Sequence, residues 1–224
     1  MLVKKSLWLL LVLGLEIALV TLYAATVIAN GGEPAPLIDV NGVRTLPSLL
    51  QAAQLFLLGA VPLWMLMTYQ TSRVPPSRRL LAIAAAFFLC TSIDELFKLN
   101  FMFGQHKLWQ SIYLTFGLSI PLLFYRDLLR LFSIYPREIK LIGVGVLVFL
   151  LGGFGLEIFR RYVQEPYWYE LFGRWQFYQV DAIRTAFEEL GEMVGETLVL
   201  KGAIDIGQSR RSHLASLAAS RRFH

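Results

Sequence analysis

Four glutamates, Glu188, Glu189, Glu192 and Glu196, lie within a largely apolar run from Ala182 to Ile206, and their spacing limits what this chain can fold into. At about 100° per residue, Glu192, Glu196 and Glu189 fall roughly 40°, 80° and 100° around a helix from Glu188. All four carboxylates therefore share one stripe. Gly191, Gly195 and Gly202 form a second stripe beside it, and Phe187, Leu190, Val194 and Leu198 make an apolar face. An ionised carboxylate at mid-bilayer costs about 2.5–3.5 kcal/mol, so four facing lipid would cost on the order of 10 kcal/mol. The acidic stripe must face inward, towards protons, water, a cation or polar partners.

The rest of the chain supports a membrane setting. Of 224 residues, 56% are hydrophobic and 17% charged, and the mean hydropathy is +0.55, far above an average soluble domain. The expected fold is all-α: a polytopic transmembrane helix bundle of about six spans, near residues 6–29, 46–69, 80–100, 108–132, 139–159 and 182–206. These form a single domain, 1–207, followed by a basic cytoplasmic tail, 208–224, expected to be loose. Val27-Ile28-Ala29 offers small-residue cleavage chemistry, but the first apolar run is longer than a signal h-region and holds Glu16, so a retained span is expected. Residues 160–181, crowded with Tyr162, Tyr167, Trp168, Tyr169, Phe172, Trp175, Phe177 and Tyr178, read as an interfacial helix or re-entrant cap.

Six spans put both termini on one side. That side collects Lys4, Lys5, Arg73, Arg78, Arg79, Arg126, Arg130, Arg137, Lys140, Lys201, Arg210, Arg211, Arg221 and Arg222, 14 of the 21 lysines and arginines. The positive-inside rule then makes both termini cytoplasmic, and a bacterial inner (plasma) membrane is the expected location. The net charge of +5 reflects this orientation and not nucleic acid, since no face interleaves basic and aromatic residues. The lipid bilayer is the expected partner, with a homo-oligomer or a membrane-complex partner as a further expectation. A lone Cys90 excludes an internal disulfide, and three histidines leave little for a histidine-rich metal or haem site.

Other intramembrane charges add to the acidic stripe. In the third span Thr91, Asp94, Glu95 and Lys98 fall within about 100° of one another. Lys98, at i+4 from Asp94 and i+3 from Glu95, can neutralise either or snorkel outward. Glu16, near the middle of the first span, has no charged neighbour in its helix and shares a face with Tyr23, whereas Glu157 at the end of span five can pair with Arg160 or Arg161. Cation- or proton-binding candidates are therefore Glu188, Glu189, Glu192, Glu196, Asp94, Glu95 and Glu16, with Lys98 as charge partner. Carboxylates sharing a low-dielectric pocket cannot all ionise, so they titrate as a coupled set. A divalent cation, the one cofactor this chemistry suggests, would be held at Glu188, Glu192, Glu196 and Asp94. A paired-carboxylate iron or manganese centre adds Glu-x-x-His, which is absent here.

At two stretches, Ser92-Ile-Asp94-Glu95 and Glu188-Glu189-Leu-Gly-Glu192, the chain resembles a group of uncharacterised bacterial multi-pass membrane proteins. Their pattern pairs a Ser-x-Asp-Glu helix continuing to His-Glu with a later Glu-Glu-x-x-Glu helix. This chain carries Asn100-Phe101 where the pattern has His-Glu, which removes the histidine on which a metal role would rest. The resemblance implies that spans three and six belong together.

Three functions are compatible with these residues. Proton- or cation-coupled transport through a carboxylate-lined site fits best. A membrane-embedded, carboxylate- or metal-dependent enzyme acting on a lipid-like substrate ranks lower, because the chain shows no nucleophile with its base and no histidine-rich metal motif. A non-catalytic assembly or accessory subunit, its buried charges specifying packing, is the third.

Overall fold

The computed structural model describes residues 4–68, 75–99, 106–160, 162 and 169–220, and the secondary structure among these is helical with no strand. Helix α1 is Lys4–Ala29, α2 Leu46–Met67, α3 Arg78–Phe97, α4 His106–Leu123, α5 Tyr125–Ile134 and α6 Pro136–Phe149. A π-helical turn, Leu150–Gly155, leads into α7, Leu156–Phe159, and α8 runs over Tyr169–Ser220. Four helical stretches among the described residues are long and apolar enough to cross a membrane: Leu7–Ala29, Leu46–Met67, Arg78–Phe97 and the α6–α7 unit Pro136–Phe159. They coincide with the first, second, third and fifth expected spans.

The other two expected spans take different forms. Residues 108–132 are two helices, broken at Phe124 (φ −109°, ψ 22°) three residues past Pro121. Arg126, Asp127 and Arg130 occupy the second of them, charges that hydrocarbon would penalise, so the described apolar stretch there is Leu114–Leu123 alone. Residues 182–206 are the middle of α8, a 52-residue helix of about 78 Å at the usual rise. Of the expected interfacial segment 160–181, residues 161 and 163–168 lie outside the described residues, and from Tyr169 onward the chain already belongs to α8. The tail expected to be loose also continues α8 as far as Ser220. After Gly207 it contains no glycine or proline, and positions 214–219 are mostly leucine and alanine, strong helix formers; residues 221–224 lie outside the described residues.

Local chemistry sets the helix ends near the polar residues. Gly31 and Gly32 take φ of 74° and 111°, conformations suited to glycine, and the Gly32 N–H donates to the Val27 carbonyl at 2.8 Å. The connection to α2 folds back so that Val40 is 1% exposed. Thr45 then caps α2 in a reciprocal box with Ser48, with Pro47 in the first turn.

Helix α8 is the axis of the bundle, with α1, α2 and the α6–α7 unit packed against it. Val20, Tyr23 and Val27 of α1 meet Ala182, Ala186 and Met193 of α8. The glycine stripe serves as a packing surface, as small residues do where backbones approach. A Cβ on Gly191 would lie 2.7 Å from Gly152 Cα, one on Gly195 2.7 Å from the Gly145 carbonyl, and one on Gly202 2.5 Å from Ile142 Cγ1. The third span packs along α2 and not along α8, contrary to the pairing that the sequence resemblance implies. Gly59 lets Leu89 approach α2, and the Ser92 hydroxyl donates to the Ala52 carbonyl at 2.8 Å. At the far end, Met65, Leu80, Leu81, Leu131, Tyr135 and Ile206 form an apolar cluster.

Gly191→Ala and Gly195→Ala should each cost about 1–3 kcal/mol through overpacking, read as a lower Tm in detergent. Gly14→Ala and Gly143→Ala, where an added Cβ meets nothing within 4 Å, should leave Tm unchanged or raise it. Equal effects at all four positions would mean that α6 and α8 do not meet along this seam.

Candidate functional site: a column of carboxylates and amides

The polar residues of α8 face different partners, because a stripe some 100° wide is broad enough to be divided by the helices packed around it. Glu188 turns towards Arg184, one helical turn earlier, forming an ion pair with it. Arg184 also holds Asp181 (Nε to Oδ1, 3.0 Å) and donates to the Thr185 hydroxyl at 2.9 Å. From α7, Arg160 lies 3.8 Å from Asp181 and 3.9 Å from Glu157. The expected Glu157–Arg160 pair is therefore present, and through Asp181 Arg160 also ties this end of the chain to α8; Arg161 lies outside the described residues.

Glu189 faces the end of α3. There Lys98 and Glu95 form a buried ion pair, and Glu189 and Glu192 lie within electrostatic reach of Lys98. Lys98 is 7% exposed, so it lies within the bundle and does not snorkel. It ends α3 in the left-handed conformation (φ 46°, ψ 47°), which costs a non-glycine residue roughly 1–2 kcal/mol. A left-handed residue is a common way to end a helix. Asp94 is buried in the same turn as Glu95, and Thr91 bonds back to the Phe87 and Phe88 carbonyls of its own helix.

Deeper along α8, the partners come from α2. Gln51 Nε2 donates to Glu192 Oε2 at 3.2 Å and Glu196 Oε1 at 3.5 Å. One turn on, Gln54 Nε2 donates to Glu16 Oε1 at 2.6 Å and to Thr197 Oγ1 at 2.5 Å, and the Thr197 hydroxyl donates to the same Glu16 oxygen at 2.5 Å. Glu16 and Thr197 are wholly buried. Glu192 is packed on Gly153, in the π-helical turn, where a Cβ would collide with its carboxylate. A π-turn with glycines thus makes room for an acidic side chain.

The structure therefore gathers Glu16, Glu95, Glu189, Glu192, Glu196 and Lys98 along one polar column, and turns Glu188 aside to Arg184. Among the described residues no three histidine, cysteine, aspartate or glutamate side chains converge to hold a metal ion, the expected set Glu188, Glu192, Glu196 and Asp94 included. Four participants lie outside the acidic residues and Lys98 singled out from the sequence: Gln51, Gln54, Thr197 and Arg184. Signals for them exist. Ser48, Gln51 and Gln54 recur every third residue in an otherwise apolar helix, and Arg184 sits at i+3 from Asp181 and i−4 from Glu188.

Lys98→Met keeps side-chain length and removes the charge, leaving Glu95 buried without its cation, a loss of about 3–5 kcal/mol. The Lys98→Met, Glu95→Gln double variant should recover a large part of it. A double-mutant cycle by thermal unfolding in detergent measures this, and additive losses would show that the two side chains are not coupled.

No curated protein and no solved structure matches the chain. One family model does: a domain of unknown function, DUF8692, matches residues 8–204, which takes in most of α1 and every side chain of the column. The chain therefore belongs to the DUF8692 family.

Proposed function

We propose that this is a six-span protein of a bacterial inner membrane, both termini cytoplasmic, whose buried carboxylates carry protons or small cations in coupled transport. The observation that carries this reading is a pair of successive hydrogen-bonded groups, Glu192–Gln51–Glu196 and Glu16–Gln54–Thr197, with Glu196 and Glu16 within electrostatic reach of each other. Together they join the middle of α1 to α2 and α8, at a depth where ionisable groups are expensive and are retained for ion or proton pathways. Lys98 and Arg184 balance Glu95, Asp181 and Glu188 nearer one end, so the deep carboxylates carry the charge available to a moving ion.

Under this orientation the Lys98 end faces outward. The apolar cluster of Met65, Leu80, Leu81, Leu131, Tyr135 and Ile206 stands between the column and the cytoplasmic side. Alternation of access then amounts to parting this cluster, and the packed carboxylates commit a bound ion to one side at a time.

Reconstitution in liposomes loaded with a pH-sensitive dye tests the reading under an imposed potential. The native chain should pass protons, or pass them on addition of a counter-gradient of Na⁺ or K⁺. Glu192→Gln should slow this flux by about a hundredfold, the scale of losing one proton-transfer group. Equal flux from the variant, or none from the native chain under any of these gradients, would overturn it.

A further inference from the structure

The level of α5, Tyr125–Ile134, relative to a bilayer follows from what it packs on. Its Leu131, with Leu128 beside it, joins the cluster made by Met65, near the end of α2, and by Leu80 and Leu81, near the start of α3. Helix α6 begins directly after it, at Pro136. The ends of three apolar spans, Leu46–Met67, Arg78–Phe97 and Pro136–Phe159, thus meet at α5, which puts it where hydrocarbon gives way to headgroups. Helix α4, of 18 residues, is about 27 Å long and needs no turn of α5 to cross. The backbone leaves helical geometry at Phe124 and again at Tyr135 (φ −126°, ψ 58°), so α5 is a segment of its own and not the end of either neighbour.

Three strips follow one another around α5. Leu131 and Leu128 form the packed one. Next, within about 60° of arc, come Phe132, Tyr125 and Leu129, which are 44%, 52% and 64% exposed. Beyond Leu129 lie Arg126 and Arg130, both exposed. The Arg126 guanidinium sits 5.7 Å from the centre of the Tyr125 ring, and its Nε donates to the Tyr125 hydroxyl at 3.0 Å, which holds that cation alongside the apolar strip. An open apolar strip beside exposed arginines suits neither water nor hydrocarbon alone. It suits their boundary, with leucine and aromatic rings on acyl chains and guanidinium groups at phosphate depth, where their fork matches phosphate oxygens in pairs. An acidic protein segment would answer the arginines but not the exposed Leu122 and Leu123, through which the apolar strip runs on into α4. Residues 125–140 set Arg126, Arg130, Arg137 and Lys140 against Asp127 and Glu138, a surplus of cations that a net anionic headgroup answers and a zwitterionic one does not. We propose that α5 is a surface helix that docks anionic phospholipids, Arg126 and Arg130 holding headgroup phosphates while Tyr125, Leu129 and Phe132 rest on the acyl chains. Such docking stands whether or not the carboxylate column transports an ion.

The test is native mass spectrometry of the intact chain in detergent, titrated with dioleoyl phosphatidylglycerol or dioleoyl phosphatidylcholine, with folding of every variant checked by size exclusion. The native chain should hold phosphatidylglycerol on the order of tenfold more tightly, and added salt should erode the difference. Combining Arg126→Gln with Arg130→Gln should remove most of that preference. Arg44→Gln, at an exposed arginine just before the start of α2 and so at the other end of that helix, should keep it. No preference in the native chain, or an undiminished one in the double variant, would overturn the site. Depth is read separately, in bilayers containing phosphatidylglycerol, from a nitroxide attached at Leu129→Cys in a Cys90→Ser background. Relaxation by oxygen should exceed relaxation by an aqueous nickel chelate. The reverse order would put the strip in water, open to a protein partner or a second copy, and would overturn the lipid assignment.

Discussion

The structure depends on how it satisfies buried carboxylates without burying an equal number of cations. Only amide and hydroxyl donors reach the deepest ones: Gln51, Gln54 and Thr197. Neutral donors lower the cost of burying an anion while leaving its charge in place. Ion pairs lie to either side instead: Lys98–Glu95 within α3, Arg184 with Asp181 and Glu188 within α8, and Lys201–Asp205 further along α8, while Arg160, just past α7, reaches Asp181.

This arrangement requires α8 to approach its neighbours closely on one side and leave room on another. The glycine seam does the first. Gly195 against Gly145 and Gly191 against Gly152 bring α6 and the π-turn into backbone contact with α8, which dispersion and weak polar contacts stabilise where lipid offers no hydrophobic drive. The π-turn does the second, since Gly153 admits the Glu192 carboxylate. One glycine-rich stretch of the chain therefore sets both the packing distance and the position of an acidic group. A change that widened the seam would also shift Glu192 relative to Gln51.

Helix α2 has an equal part. It packs on α3 through Gly59 and Ser92, and presents Gln51 and Gln54 to α8 and α1. The acidic end of α3 and the acidic stripe of α8 thus belong to one polar system although the two helices do not run side by side. They meet through the reach of Lys98, Glu95 and Glu189 and through the α2 amides.

Much of this was legible in the residues. Length and hydropathy settle an all-helical chain with apolar spans, because a bilayer admits helices whose backbone bonds are met internally. Periodicity places Glu188 to Glu196 on one stripe and the glycines beside it, because both follow from the fixed turn of a helix. The spacing of Glu157 and Arg160 is enough to name their pair. The break at Phe124 and the unbroken run of α8 through the expected boundary and tail were less legible, since local propensity and charge compete with hydropathy there. Only the tertiary structure decided that Glu188 turns to Arg184 while Glu189 turns to Lys98, that α2 stands between α3 and α8, and that Gln54 and Thr197 meet at Glu16. Those contacts join residues far apart in the chain, and helical spacing fixes angles around one axis but not which neighbouring helix fills each of them.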